Sequence, residues 1–213
     1  MVKRKYGQYC GFARALELVG ERWALMIVRD LLVGPKRFGE IQRGLPGIPT
    51  NILTARLHEL EDSGLVRRRL LPRPAAGVVY ELTEEGASLD DVVLAIGRWG
   101  AVRLGDPRPD ETVTEDSIAT ALRTTFRAQG AGKGNVTYML RLGDVEVHAR
   151  VHNGALTVGR GPAPNADLTI ETGPALRLLL AREITPADAI KKRLVRIKGD
   201  PKLLERFVRT FQI

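Results

Sequence analysis

The 213-residue chain contains one cysteine, Cys10. That excludes an internal disulfide and any zinc site built from several cysteines. Three histidines leave little for a histidine metal site. Aromatic residues make up 5% of the chain, so aliphatic side chains have to fill the core. No apolar run approaches the roughly 18–20 residues that cross a bilayer. Met1-Val2-Lys3-Arg4-Lys5 carries charge with no apolar stretch behind it, unlike a secretory signal, and the cytoplasm is the expected compartment. There is no Ser-His-acid order and no metal cluster, so neither an enzyme nor a cofactor is expected.

What is present is ordinary for a globular protein, with 44% hydrophobic and 27% charged residues. The net charge is +8. Residues 1–105 carry 16 Lys/Arg and 12 Asp/Glu, and residues 106–213 carry 17 and 13, so neither half holds all the excess. A basic balance permits nucleic-acid binding without establishing it, and the arrangement has to decide.

The stretch Gly105-Asp106-Pro107-Arg108-Pro109-Asp110-Glu111 stops any helix and offers nothing to bury. It predicts a mainly α-helical domain over residues 1–104, a linker over 105–114 and an α+β domain with an antiparallel sheet over 115–213. In the first half the spacing predicts helices over 10–19, 22–32, 38–43 and 50–63, the last stopped by Gly64. Strands follow over 65–71 and 78–82, joined by a Pro/Gly loop. Thr83 is expected to cap one long helix through Trp99.

On the 50–63 helix, Leu53, Leu57 and Leu60 share one stripe at 100° per residue. Asn51, Ala55, His58 and, at the edge, Thr50 and Thr54 lie opposite. Asn pairs bidentately with adenine, and Ala or the Thr methyl meets a thymine methyl. Arg56 lies on the flank, nearer a phosphate than a base edge. Lys36 and Arg37 open the preceding helix as backbone contacts. The hairpin carries Arg67, Arg68 and Arg69 in succession, pointing alternately to opposite faces, with Arg73 at its tip. A polar outer face is normal for any helical domain, and three arginines in a strand are often a solvated face. The order helix, helix, turn, helix, basic hairpin is what points to double-stranded DNA.

Residues from about Tyr9 to Gly100 resemble the HxlR-type winged helix-turn-helix regulators. The matching stretches are Ala15-Leu16-Glu17-Leu18-Val19-Gly20 with Cys10, Arg22-Trp23, Leu31-Leu32, and Gly34-Pro35-Lys36-Arg37-Phe38-Gly39-Glu40-Ile41. Leu45-Pro46-Gly47-Ile48, Leu53-Thr54-Ala55-Arg56-Leu57, Gly64-Leu65-Val66 and Tyr80-Glu81-Leu82-Thr83 continue it. The resemblance implies a bacterial or archaeal transcription factor acting on a pseudo-palindromic operator. It implies a homodimer formed through the domain's first and last helices. Where the family usually has a Ser-type cap this chain has Pro49, so either Thr50 caps the helix or Pro49 starts its first turn. The resemblance also implies a redox role for Cys10, with Lys3, Arg4, Lys5 and Arg14 near enough in sequence to lower its pKa. The alternative for Cys10 is a small buried hydrophobe.

In the second half a helix is expected over 115–129. The run Gly130-Ala131-Gly132-Lys133-Gly134-Asn135 lacks the residues and the preceding strand of a phosphate loop, and reads as a flexible turn. Strands over 136–142, 145–151 and from Leu156 form a three-stranded antiparallel meander. His148 and His152 are about 13 Å apart on a strand and cannot share an ion, so both are expected at the surface. A strand over 167–171, a helix after Pro174, a capping box at Thr185, a strand over 194–197 and a final helix after Pro201 complete the chain.

Ala166-Asp167-Leu168-Thr169-Ile170, Thr185-Pro186-Ala187-Asp188-Ala189 and Val195-Arg196-Ile197-Lys198-Gly199-Asp200-Pro201 resemble the sterol-carrier-protein-type lipid-binding fold, from which Lys191-Lys192-Arg193 departs. That resemblance implies an apolar cavity for a hydrophobic small-molecule effector. Tyr138, Leu140, Leu176, Leu180, Phe207 and Phe211 are the expected lining. The same side chains also suit a solid core. Two functions follow from these halves: an effector-responsive DNA-binding regulator, or a lipid or acyl-chain carrier whose winged helix serves protein contacts.

Overall fold

The structure is a computed structural model and describes residues 5–213, so Lys3 and Arg4 and most of the 1–5 segment lie outside the described residues. The chain divides into two compact units, one up to Val93 and one from Leu94.

The first unit contains α1 (Gly11–Val19), α2 (Ala24–Leu32), α3 (Phe38–Gly44) and α4 (Thr50–Asp62). The hairpin of β1 (Val66–Leu71) and β2 (Gly77–Leu82) follows, then α5 (Glu84–Ala87). The predicted stripes become one core: Ile27, Val28 and Leu31 of α2 meet Ile41 of α3 and Leu53, Leu57 and Leu60 of α4. Each such burial stabilises the unit by roughly 1.5–3 kcal/mol. Trp23, just before α2, sits at φ 79°, a left-handed conformation that is costly for a bulky side chain.

The long helix expected after Thr83 is broken. Thr83 does cap, its hydroxyl accepting from the Gly86 N–H at 3.1 Å, but α5 ends at Ala87. The Ser88 hydroxyl donates to the Glu85 carbonyl at 2.6 Å, a side-chain bond that competes with helix continuation. A new helix, α6 (Asp90–Ala101), then begins. Its Gly97 lies against Thr124, which places the end of α6 with the second unit.

The second unit is α+β. It contains α7 (Glu115–Thr125), β3 (Val136–Leu142), β4 (Val145–His152), β5 (Ala155–Arg160) and β6 (Leu168–Glu171). After these come α8 (Ala175–Leu180), α9 (Pro186–Lys191), β7 (Arg196–Gly199) and α10 (Pro201–Thr210). The expected meander β3-β4-β5 is present, but the sheet is larger and mixed: its order is β5-β4-β3-β6-β7, with β6 parallel to β3. One face buries Tyr138, Leu140, Val147, Ala149, Leu168 and Ile170. On the opposite face, registered cross-strand neighbours alternate in charge from Arg196 through Glu171 and Arg141 to Glu146. Arg141 is 2.9 Å from Glu146 and 3.7 Å from Glu171.

Several boundaries differ from expectation for identifiable reasons. α7 stops at Thr125 because Phe126 leaves the helix to bridge Phe211, with the Arg127 N–H donating to the Thr210 carbonyl at 2.7 Å. β7 starts two residues late because the N–H groups of Leu194 and Val195 both turn to the Ala189 carbonyl and close α9. The 130–135 turn is pinned rather than loose: Arg206 donates to the carbonyls of Ala131 at 2.6 Å and Gly134 at 3.1 Å. The Thr185 cap forms as expected, accepting from the Asp188 N–H at 3.1 Å.

Candidate DNA-reading surface

α4 is positioned by its buried stripe. Leu53, Leu57 and Leu60 hold it to the core, and the opposite face presents Asn51, Thr54 and His58 to solvent, with Ala55 half-buried between them. Neither reading of the cap is realised. Pro49 is itself the extended N-cap and Thr50 is the first helical residue, without a side-chain cap. The Thr50 hydroxyl instead accepts from Gln42 Nε2 at 2.7 Å, tying the first turn of α4 to α3, and the Thr54 hydroxyl donates to the Thr50 carbonyl at 2.9 Å. His58 Nδ1 lies 2.9 Å from Asp62 Oδ2, one turn further along.

Two predicted contacts are displaced into the protein. Lys36 is fully buried, because its backbone pairs with Tyr80 in both directions at 3.0 and 2.8 Å and makes a short third edge to the hairpin. Arg56 is nine-tenths buried and held by Glu59 and Glu21, so it closes the flank of α4 rather than offering a phosphate contact. Arg37 is exposed, yet its guanidinium donates to the carbonyls of Ala75 at 2.6 Å and Ala76 at 3.1 Å. It steadies the hairpin loop. Gly77 leaves room for it: a Cβ there would meet Arg37.

The hairpin arginines are exposed and alternate as expected, but each already has a carboxylate. Arg67 and Arg69 share Glu81 at 2.9 and 2.7 Å, and Arg68 on the other face takes Glu61 of α4 at 2.7 Å. Arg69, and after it Arg67, holds the Glu81 carboxyl below the usual carboxylate range. Glu61, Glu81 and Gln42 were not singled out in the sequence. Glu81 becomes legible once the strands are placed in register, since it falls directly opposite Arg67. Arg73 stands exposed at the loop tip.

Cys10 is exposed at the N-terminus of α1, so the buried-hydrophobe reading does not hold. Its thiol is pushed below the ordinary value by the backbone N–H groups of Ala13 and then Phe12. Arg14 is engaged with Glu17 at 2.6 Å.

In the second unit the six expected lining residues are all buried. Tyr138, Phe207 and Phe211 pack ring against ring, with centroids 5.1 Å apart for Tyr138–Phe207 and 4.7 Å for Phe207–Phe211. Two surface clefts, one lined by Trp23, Ile52 and Arg56 and one by Val102, Ala181 and Ile213, touch none of the six. His148 is not a plain surface residue, because it packs on Gly159 and its Nδ1 lies 3.1 Å from the Gly161 carbonyl. Among the described residues no group of three His, Cys, Asp or Glu is placed to hold a metal, and no helix is long and apolar enough to cross a membrane.

Comparison with known proteins gives the two halves of the chain separate matches. Residues 114–213 match the family model of the alkyl sulfatase C-terminal region. This replaces the sterol-carrier-type resemblance read from the sequence. A structure of the inverting sec-alkylsulfatase Pisa1 from Pseudomonas sp. aligns with 47% of this chain and 17% of its own, at 27% identity and a TM-score of 0.43. Residues 18–106 match the HxlR-like helix-turn-helix model. The HTH-type transcriptional regulator YodB of Bacillus subtilis is 38% identical over 102 residues, covering 48% of this chain and 88% of YodB. YvaP of the same organism, an uncharacterized HTH-type transcriptional regulator, is 36% identical over 88 residues, covering 41% of this chain and 82% of YvaP. With most of each relative covered at that identity, the chain belongs to the HxlR-type helix-turn-helix transcriptional regulators.

Proposed function

We propose that the chain is a homodimeric regulator that reads a pseudo-palindromic operator by laying α4 in the major groove. The outward face of α4 carries the reading: Asn51, Thr54, Ala55 and His58 project from a helix fixed on its other side by three leucines. Asn51 is the base-edge reader, pairing with adenine, and Thr54 and Ala55 meet thymine methyls. Thr50, bound to Gln42, sets the height of the first turn. The hairpin lies beside α4 as a wing whose Arg67, Arg68, Arg69 and Arg73 face the flanking phosphates.

The dimer is supported by apolar side chains left in solvent. α1 leaves Phe12 exposed, and α6 leaves Val92, Ile96 and Trp99 exposed along one stripe. Such stripes mark surfaces that another chain covers. A hydrophobic effector acting through the second unit has to open the Tyr138–Phe207–Phe211 cluster, since those rings already fill the space between sheet and α10.

Fluorescence anisotropy with duplex DNA from upstream of the chain's own gene, against a scrambled duplex, tests the reading. Saturable preference for the upstream duplex is expected, and Asn51→Ala should reduce that preference by about tenfold or more while leaving the scrambled duplex unaffected. Equal affinity of the native chain for both duplexes, with no effect of Asn51→Ala, would count against a base-reading role for α4. Sedimentation of the native chain as a monomer would remove the dimer.

A further inference from the structure

The basic excess of the second half is concentrated. Of the 17 Lys/Arg in residues 106–213, six fall within residues 191–202, against one acid, Asp200. They are Lys191, Lys192, Arg193, Arg196, Lys198 and Lys202. The rest of that half has 11 Lys/Arg and 12 Asp/Glu, so this one segment accounts for all of the excess.

The six lie on the end of α9, the turn after it, strand β7 and the first turn of α10. All six are exposed, and β7 is an edge of the sheet. Arg196 and Lys198 serve to block strand addition at that edge, as edge cations commonly do. The other four lie outside the strand and have no such role. Among the described residues none of the six is held in an ion pair, with Glu171 the acid facing Arg196 across the strands. The wing offers the opposite case, since Arg67, Arg68 and Arg69 are each paired with a carboxylate. A phosphate approaching the wing has to compete with Glu61 and Glu81. A phosphate approaching residues 191–202 displaces only solvent and counterions.

We propose that residues 191–202 form a second, sequence-independent contact to duplex DNA, made to phosphates by the C-terminal unit. This rests on the DNA-binding reading of the first unit. Duplex DNA is the occupant because a run of exposed cations outside any ion pair complements a line of phosphates, and the first unit is read as binding a duplex. A membrane surface fits less well. Interfacial docking needs an apolar face among the cations, and Leu194 is the one large hydrophobe of the segment left exposed, at 42%.

The experiment uses the full chain and a quadruple variant, Lys191→Gln, Lys192→Gln, Lys198→Gln and Lys202→Gln, with a Lys→Arg variant at the same positions as the charge-retaining control. Anisotropy is read over a salt series on a random duplex about four helical turns long. The Gln variant should lower the slope of log affinity against log salt by about three and weaken binding about tenfold at physiological salt, and the Arg variant should restore both. Unchanged circular dichroism and melting would show that the exposed substitutions leave the fold intact. A native chain that binds the duplex with the same slope as the Gln variant overturns the second contact and leaves the α4 reading standing. A native chain that binds neither the random duplex nor the upstream duplex overturns both. Unaltered DNA binding together with lost retention on phosphatidylglycerol vesicles assigns the segment to a membrane instead, which also overturns the proposal.

Discussion

Arg69 reaches across the wing to Glu81, its Nε 2.7 Å from Oε2, while Arg67 takes the other oxygen of the same carboxylate. One acid therefore restrains two of the three wing arginines. Replacing Glu81 with Gln should free both, raise the wing's net charge by one, and tighten binding to a random duplex, with a salt slope steeper by about one. Weaker binding would mean that Glu81 orients the arginines for DNA rather than competing with it. The pair also has a pH signature. Because Arg69 foremost, and then Arg67, lowers the Glu81 carboxyl, its contribution to stability is complete above the unfolded value of about 4.3 and is lost as pH falls through the lower folded value. Carbon-detected NMR titration should show Glu81 protonating below an ordinary exposed glutamate, and Arg67→Ala with Arg69→Ala should return it to the usual range.

Gly86 is where the wing meets α5. A Cβ there would stand 2.0 Å from the Leu65 carbonyl oxygen, a backbone atom that cannot swing away. Gly86→Ala should therefore destabilise the chain by about 2–3 kcal/mol, seen as a lower urea midpoint. Gly39→Ala in α3 provides the contrast, since its added methyl meets nothing closer than the end of Arg43 at 3.5 Å. It should be neutral or stabilising by about 0.5 kcal/mol. Equal effects at the two sites would deny the close approach at Gly86.

Sequence periodicity made the buried side of α4 legible, because three leucines at helical spacing leave little choice of face. It also gave the strand pairs β1–β2 and β3–β4, whose turns are marked by Pro, Gly and Asp. Partnership between distant segments was not visible. Lys36 reads as an exposed cation in sequence and is buried because its backbone joins Tyr80, 44 positions away. Arg56 sits at the boundary of the polar arc, and only the position of Glu21 shows which way it turns. The parallel β3–β6 pair likewise joins segments that no local turn connects. Residues 191–202 differ again: their charge is plain in the sequence, but that the six stand exposed without ion pairs follows only from the fold.

Cys10 should react as a thiol with a lowered pKa, because the N–H groups of Ala13 and Phe12 favour its thiolate. The pH dependence of iodoacetamide alkylation should have its midpoint below the ordinary thiol value of about 8.5. Ala13→Pro removes the leading N–H donor and should move the midpoint back up. A midpoint at the ordinary value in the native chain would show that the start of α1 does not hold the thiolate in solution.

Tyr138 places a phenol inside the aromatic cluster of the second unit. Burial pushes its pKa up to about 12, against smaller opposing effects from Arg206, the Thr210 hydroxyl and Arg209. The unfolded chain ionises a tyrosine near 10, so the folded state excludes the phenolate over that interval. Stability from this group is complete below about 10 and is lost as pH rises toward 12, by about 2–3 kcal/mol in all. Tyr138→Phe keeps the ring contacts with Phe207 and Phe211 and removes the ionisable group. Urea midpoints of the two proteins should run in parallel near neutral pH and diverge above about 10, with the native chain falling faster. Parallel curves throughout would mean that the hydroxyl reaches water, and that the space between sheet and α10 is open enough to admit a ligand.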